Sequence, residues 1–229
     1  STSTPPDQNY MVLFFVIDAL KRSGASAVIA VIPFLGYERQ DHVFRDGEAV
    51  SLDVVIKVLE RVGVDKLIAF DLHSIKVPEF FSIPVLHLSA LGLFAQKIRE
   101  LGLMENSVLV SPDMGGIRRI KMLSESLNNM PYATVEKNRN LETGEINDSS
   151  MQGDVNQKTA IIVDDMISTG RTLVAAEKIL FKNGAKKTFV FATHAVFSGN
   201  AAKLLQNLKA EKVFVTDTVF IPKEKYFDK

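Results

Sequence analysis

Two hundred and twenty-nine residues exceed the ~100–150 of an ordinary compact domain, so two small domains or one elaborate one are expected. Hydrophobic residues at 46% and charged residues at 24% supply a sizeable core and exclude wholesale disorder. The 27 Lys and Arg balance the 27 Asp and Glu, which argues against a polybasic binder of nucleic acid or membrane surface, and the lack of Cys removes disulfides, thiol nucleophiles and Cys-zinc sites.

The chain opens Ser1-Thr2-Ser3-Thr4-Pro5-Pro6 without an initiator Met, which reads as a processed chain or a fragment. A first helix is predicted over Gln8–Ser23. It contains most of the longest apolar run, Tyr10 to Ile17, eight residues against the ~20 of a spanning helix, and no basic-then-apolar leader precedes it. A soluble, cytoplasmic globular protein is expected. There follow a strand over Ala27–Pro33, a helix over Ser51–Val62, strands over Lys66–Asp71 and Ile83–Leu86, and a helix over Ala90–Leu101. Next come strand Ser107–Ser111, helix Gly115–Asn128 and strand Tyr132–Glu136. Lys137 to Gln157 lacks apolar periodicity and is expected to be an irregular functional or mobile loop, long against the ~4–6 median. Strand Thr159–Val163, helix Thr172–Asn183, strand Lys187–Thr193, helix Asn200–Leu208 and strand Lys212–Thr216 complete the pattern.

Such alternation predicts an α/β protein with parallel sheets covered on both faces, and the run Ala27-Val-Ile-Ala-Val-Ile32 reads as a strand buried on both sides. Helices end at Gly24, Gly63, Gly184 and, more loosely, Gly102, where glycine can take the left-handed conformation that satisfies the last carbonyls. The stretch Leu20 to Ile29 echoes Leu180 to Phe189. Two halves of related architecture, or the common look of helix–strand corners, explain this equally well.

The strongest chemical signal is Ala160-Ile-Ile-Val-Asp164-Asp165-Met-Ile-Ser168-Thr169-Gly170-Arg171-Thr172. A buried strand delivers two carboxylates at its C-terminal end, where open parallel sheets bind ligands, and a tight loop then opens a helix. Backbone N–H groups and hydroxyls at such a helix start cradle phosphate. Carboxylates do not, so Asp164 and Asp165 are expected to face sugar hydroxyls or a divalent cation. A phosphate pocket beside a diol pocket reads as a phosphorylated ribose site. An acidic N-cap after a strand accounts for one Asp and one Ser, but not for the whole run.

This run resembles the phosphoribosyl pyrophosphate loop of the type I phosphoribosyltransferase fold. Val31-Ile-Pro-Phe34, Tyr37-Glu-Arg-Gln-Asp41, Gly47-Glu-Ala-Val-Ser51, Asp71-Leu-His73, Ser111-Pro-Asp-Met-Gly-Gly116, Glu136-Lys-Asn-Arg139, Thr193-His-Ala-Val-Phe-Ser-Gly199 and Val215-Thr-Asp-Thr218 narrow the resemblance to the ribose-phosphate pyrophosphokinases, across essentially the whole chain. The resemblance implies two similar doubly wound domains: an incomplete first one over residues 1–86, a second over 87–217, and the start of a segment returning to the first over 218–229. It implies transfer of the β,γ-diphosphoryl group of ATP to the 1-hydroxyl of ribose 5-phosphate with Mg²⁺, releasing AMP, in dimers that assemble further, most often into hexamers.

Residue by residue, Arg39 and Gln40, with Asp41 completing the turn, match the family's ATP contacts. His73 matches a histidine near the triphosphate and its metal, and Asp113 a metal-ligand carboxylate, although locally Asp113 reads nearly as well as a helix cap. Asp164 and Asp165 match the carboxylates on the ribose hydroxyls, and Ser168, Thr169, Gly170, Arg171 and Thr172 stand in the 5-phosphate cradle. Lys137 and Arg139 match the catalytic basic pair; at i and i+2 of an extended segment, both are expected to reach one diphosphoryl group. His194 is expected to be structural, and His42 and His87 incidental.

The family generally has Gly where Arg171 stands and often Asp where Ser168 stands, and segments beyond both termini are expected to be missing. Thr169-Gly-Arg-Thr172 also occurs in base-using phosphoribosyltransferases, which stay open as an alternative. So does a catalytically silent, regulatory synthetase-like subunit, although such subunits usually lose the loop cations or cradle residues retained here.

Overall fold

The computed structural model describes residues 1–43, 45–139 and 146–228, and of residues 137–139 and 146–149 it describes the backbone. The chain divides into one compact unit of Ser1–Ser89 with Thr218–Phe220 and another of Ala90–Asp217 with Ile221–Lys229. No helix among the described residues is long and apolar enough to cross a membrane.

In the first unit, helix α1 spans Pro6–Arg22, beginning earlier than the apolar pattern suggests because Pro6, lacking an N–H, is suited to a first helical turn. Strand β1 (Ile29–Ile32), helix α2 (Ser51–Val62), strand β2 (Lys66–Phe70) and strand β3 (Val85–Leu88) follow. Tyr10 and Ile17 of α1, with Leu52, Ile56 and Leu59 of α2, lie at helical spacing and bury against Ala30 and Ile32 of β1 and Leu67 and Ala69 of β2. The three strands are parallel and run in sequence order, β1-β2-β3. Strands that advance in one direction by right-handed crossovers receive their helices on one face. The other face is open here: Ile29 is 57% and Val31 58% exposed, so β1 alternates instead of being buried on both sides as its apolar run suggests. A boundary at residues 86 and 87 falls inside β3, whose pairing with β2 continues to Leu88.

The second unit contains helix α3 (Leu91–Glu100), strand β4 (Ser107–Ser111), helix α4 (Ile117–Ser126), strands β5 (Tyr132–Arg139), β6 (Ile146–Gln152) and β7 (Thr159–Ile167), helix α5 (Arg171–Lys182), strand β8 (Lys187–Ala195), helix α6 (Ala201–Gln206) and strand β9 (Lys212–Val215). Its sheet has the order β6-β5-β4-β7-β8-β9, parallel throughout except for β6, which pairs antiparallel with β5. Successive residues face opposite sides, and both sides are covered. Val108, Val110, Ala160 and Ile162 pack with Leu173, Ala176 and Leu180 of α5, whereas Leu109, Ile161 and Val163 pack with Phe94 and Ile98 of α3 and Ile120 and Leu123 of α4. Ile221 and Phe227, beyond β9, lie against the first of these two layers.

The stretch expected to be an irregular loop from Lys137 to Gln157 contains ordered pairing. β5 runs on to Arg139 and β6 folds back along it, with a register shift between Asn138 and Arg139. Polar cross-strand bonds replace the missing apolar alternation: Ser150 Oγ and Gln152 Nε2 donate to the two Glu136 carboxylate oxygens at 3.0 and 2.6 Å. Residues 140–145 lie outside the described residues.

Candidate active site

From β4 the chain crosses to β5 on one side, and from β7 it crosses to β8 on the other, while β4 and β7 themselves are neighbours. The crevice at their C-terminal ends is therefore a topological switch point, the usual ligand position in an open α/β sheet. Asp113 follows β4, and Asp164 and Asp165 lie near the end of β7, which extends past them to Ile167.

Asp165 donates its N–H to Asp164 Oδ1 at 2.9 Å. Arg119, in the first turn of α4, places Nη1 3.6 Å from Asp164 Oδ1 and Nη2 3.5 Å from Asp165 Oδ1. Burial, then the neighbouring Asp165 carboxylate, pushes the Asp164 carboxyl well above the usual range; the Asp113 charge adds to this and Arg119 opposes it. Nothing in the sequence motif singles out Arg119, because its role depends on α4 crossing to a strand forty-five positions further on.

After β7, Ser168 to Gly170 form the turn into α5. Gly170 has φ +77°, a left-handed conformation that favours glycine, and a Cβ there would sit tightly, 3.2 Å from Leu205 Cδ2. The turn is pinned to the segment after β8: Phe197 and Ser198 donate backbone N–H groups to the Ile167 and Ser168 carbonyls, each at 3.0 Å. Ser168 Oγ lies 3.4 Å from Ser198 Oγ. Arg171 is the first residue of α5 and is exposed; Thr172 is half-buried beside it. The first N–H groups of any α-helix lack intrahelical acceptors, and the helix dipole favours an anion there.

Asp113 acts as a cap. Its Oδ1 accepts the Gly115 N–H at 3.0 Å at the start of a 3-10 turn, Met114–Gly116, and Ser111 Oγ donates to its carbonyl at 2.7 Å. The β5–β6 hairpin lies on the other side of β4. β5 pairs with β4 only as far as Ser111 and Thr134, so its remaining length overruns the end of β4. Lys137 and Arg139 are on that overrun, and their side chains lie outside the described residues.

The first unit carries Arg39, Gln40, Asp41 and His73. Arg39 and Gln40 are exposed on the turn after Tyr37, where Gln40 donates its N–H to the Tyr37 carbonyl at 2.8 Å. The buried Glu38 joins this turn to the next, since its Oε2 accepts the His73 N–H at 3.1 Å. His87, expected to be incidental, also holds that second turn by accepting the Leu72 N–H on Nε2 at 3.0 Å. His42, expected to be equally incidental, lies 2.6 Å from Asp41 through Nδ1. Glu38 and His87 thus bring Arg39, Gln40 and His73 together, a pairing of distant turns that local sequence does not announce. His194 is fully buried in β8.

Among the described residues, no group of three or more His, Asp or Glu side chains gathers to hold a cation alone.

Fold and site together define an α/β protein of the type I phosphoribosyltransferase fold. The sequence pattern of the phosphoribosyl synthetase-associated domain matches residues 105–226, and that of the N-terminal domain of ribose phosphate pyrophosphokinase matches residues 1–63. The chain is 40% identical over 226 residues to the ribose-phosphate pyrophosphokinase of Vibrio vulnificus (strain YJ016), covering 98% of this chain and 71% of that protein. It is 39% identical over 229 residues to the putative ribose-phosphate pyrophosphokinase 2 of Lactiplantibacillus plantarum, covering 100% and 71%. The crystal structure of phosphoribosylpyrophosphate synthetase from Mycobacterium smegmatis matches with a TM-score of 0.92 and 37% identity, over 99% of this chain and 73% of that one. The chain belongs to the ribose-phosphate pyrophosphokinase family, transferases of nucleotide biosynthesis whose members make phosphoribosyl pyrophosphate.

Proposed function

We propose that the protein transfers the β,γ-diphosphoryl group of ATP to the 1-hydroxyl of ribose 5-phosphate. The observation that carries this reading is the Asp164–Asp165 pair beside the Gly170-led start of α5 at the switch point. Such a site offers acceptors for a vicinal diol one loop away from donors for a phosphate. Asp164 and Asp165 would take the ribose 2- and 3-hydroxyls, and Ser168, Thr169, Gly170, Arg171 and Thr172 the 5-phosphate.

Held there, the sugar presents its 1-hydroxyl to the β-phosphorus. The new O1–Pβ bond forms as the bond from Pβ to the α,β-bridging oxygen breaks, AMP departs and the hydroxyl proton passes to solvent. Charge spreads over non-bridging oxygens in such a reaction, so positioning and cationic donors carry it. Lys137 and Arg139 are the donors assigned to the transferred group, and Arg39 and Gln40, completed by Asp41, hold ATP. Mg²⁺, for which Asp113 and His73 are the assigned protein ligands, would neutralise the phosphate charge. The family likeness supports a homo-oligomer with ATP and ribose 5-phosphate as its small-molecule partners, working in the cytoplasm.

Incubation of the protein with ATP, Mg²⁺ and ribose 5-phosphate should release AMP in step with sugar consumed. Thr169-Gly-Arg-Thr172 favours a second reading, a base-using phosphoribosyltransferase. Diphosphate release from phosphoribosyl pyrophosphate that depends on a purine or pyrimidine, without AMP formation from ATP, would establish that reading instead.

A further inference from the structure

We propose that Arg119 is the positioning residue of the sugar site, clamping Asp164 and Asp165 so that both carboxylates face the same diol. The inference rests on the ribose-site reading above and adds a residue to it. Neighbouring residues of a strand send their side chains to opposite faces, so two adjacent carboxylates do not normally share a partner. Here one guanidinium reaches both, at 3.6 and 3.5 Å, from a helix on the other side of the switch crevice. Those distances exceed the ~2.7–2.9 Å of a charge-assisted hydrogen bond. Arg119 therefore acts on the pair by charge and without a direct hydrogen bond to either carboxylate.

The surroundings hold the guanidinium in place. Its side chain is only 14% exposed. A Cβ on Gly116, one turn earlier, would collide with Ser111 Oγ, and its 3.5 Å distance to Arg119 Nη1 is an ordinary packing contact, so the backbone at 116 lies against the guanidinium. Arg119 is also the group that opposes the upward push on Asp164 from burial and Asp165. Without it, the push on Asp164 toward the protonated form would be stronger.

Calorimetric titration of wild type, R119Q and R119K with ribose 5-phosphate and with 2-deoxyribose 5-phosphate separates this role from a structural one. Wild type should bind ribose 5-phosphate more tightly than the deoxy sugar. R119Q should lose about 10–100-fold for ribose 5-phosphate, the scale seen when the partners that orient metal ligands are removed, and much less for the deoxy sugar. R119K should recover part of the loss, because it restores charge but not the two-pronged reach. An equal loss for both sugars, or none, overturns the positioning role. Failure of wild type to bind ribose 5-phosphate at all overturns the sugar-site reading beneath it, a result distinguishable before any variant is made.

Discussion

Asp164 stands in conflict with its own surroundings. Burial and the Asp165 carboxylate raise its folded-state pKa above the unfolded value. The fold therefore favours the protonated form: the stabilisation is complete in acid, below the unfolded value, and is lost as pH rises through the raised folded value. Ionising the carboxyl in the folded protein costs stability. Asp164→Asn keeps an oxygen to accept the Asp165 N–H and removes the charge. It should raise stability at pH 7 by about 0.5–2 kcal/mol, a gain that shrinks in acid, and should weaken ribose 5-phosphate binding. Urea denaturation at pH 7 and near pH 4, with a binding titration, checks both halves. A variant less stable than wild type at pH 7 would mean that the Arg119 pairing outweighs the burial cost. This conflict was legible in part: Asp164, Asp165 and the loop to Thr172 announce themselves because they are contiguous. Arg119, Glu38 and His87 do not, since each owes its role to a partner at least fifteen positions away.

Among the elements, α5 bears on the proposed chemistry because the 5-phosphate is assigned to its first turn. Glu177 fixes that helix. Its buried carboxylate accepts Thr188 Oγ1 from β8 at 2.9 Å on Oε1 and the Lys209 N–H at 2.8 Å on Oε2. Glu177→Ala leaves both donors without this acceptor and should cost about 2–4 kcal/mol in urea unfolding, with Glu177→Gln, which retains one oxygen, intermediate. Equal midpoints for Glu177→Ala and wild type would show that water replaces the carboxylate freely. Strands β5 and β6 are the other element to which the proposed function assigns chemistry. Truncating Lys137 or Arg139 to Ala should lower kcat by ~10²–10⁵ with little change in the KM for ribose 5-phosphate, since both are assigned to the transition state. A KM effect without a kcat effect would reassign them to ground-state binding. Strands β4, β7 and β8 were readable as apolar runs because both of their faces are covered, and α1, α2 and α5 because one face is. β6 was not, because Glu136, Ser150 and Gln152 hold it through hydrogen bonds that leave no apolar period. β1 misled in the other sense: Ile29 and Val31 suit a strand whether or not anything covers them.

At the scale of the whole molecule, that uncovered face has a consequence for solution behaviour. Ile29, Val31, Leu86 and Leu88 share the open side of the first sheet, and Met11, Val12, Phe15 and Val16 add an exposed apolar stretch on α1. Contiguous apolar surface of this kind marks an interaction site or an aggregation liability. The formal net charge is zero, so long-range repulsion does little to keep copies apart. The 229-residue chain should therefore bind the dye ANS while folded and sediment as a concentration-dependent mixture at micromolar levels. Replacing Ile29 and Val31 together by Thr retains β-branching and removes apolar area from the open face. The double variant should bind less dye and self-associate less, with stability within about 1 kcal/mol of wild type, because neither side chain contributes to the core. Unchanged dye binding would move the sticky surface to α1, where Phe15→Lys is the corresponding substitution. A wild type that binds no dye and sediments as a single sharp species would mean that both faces are covered in solution.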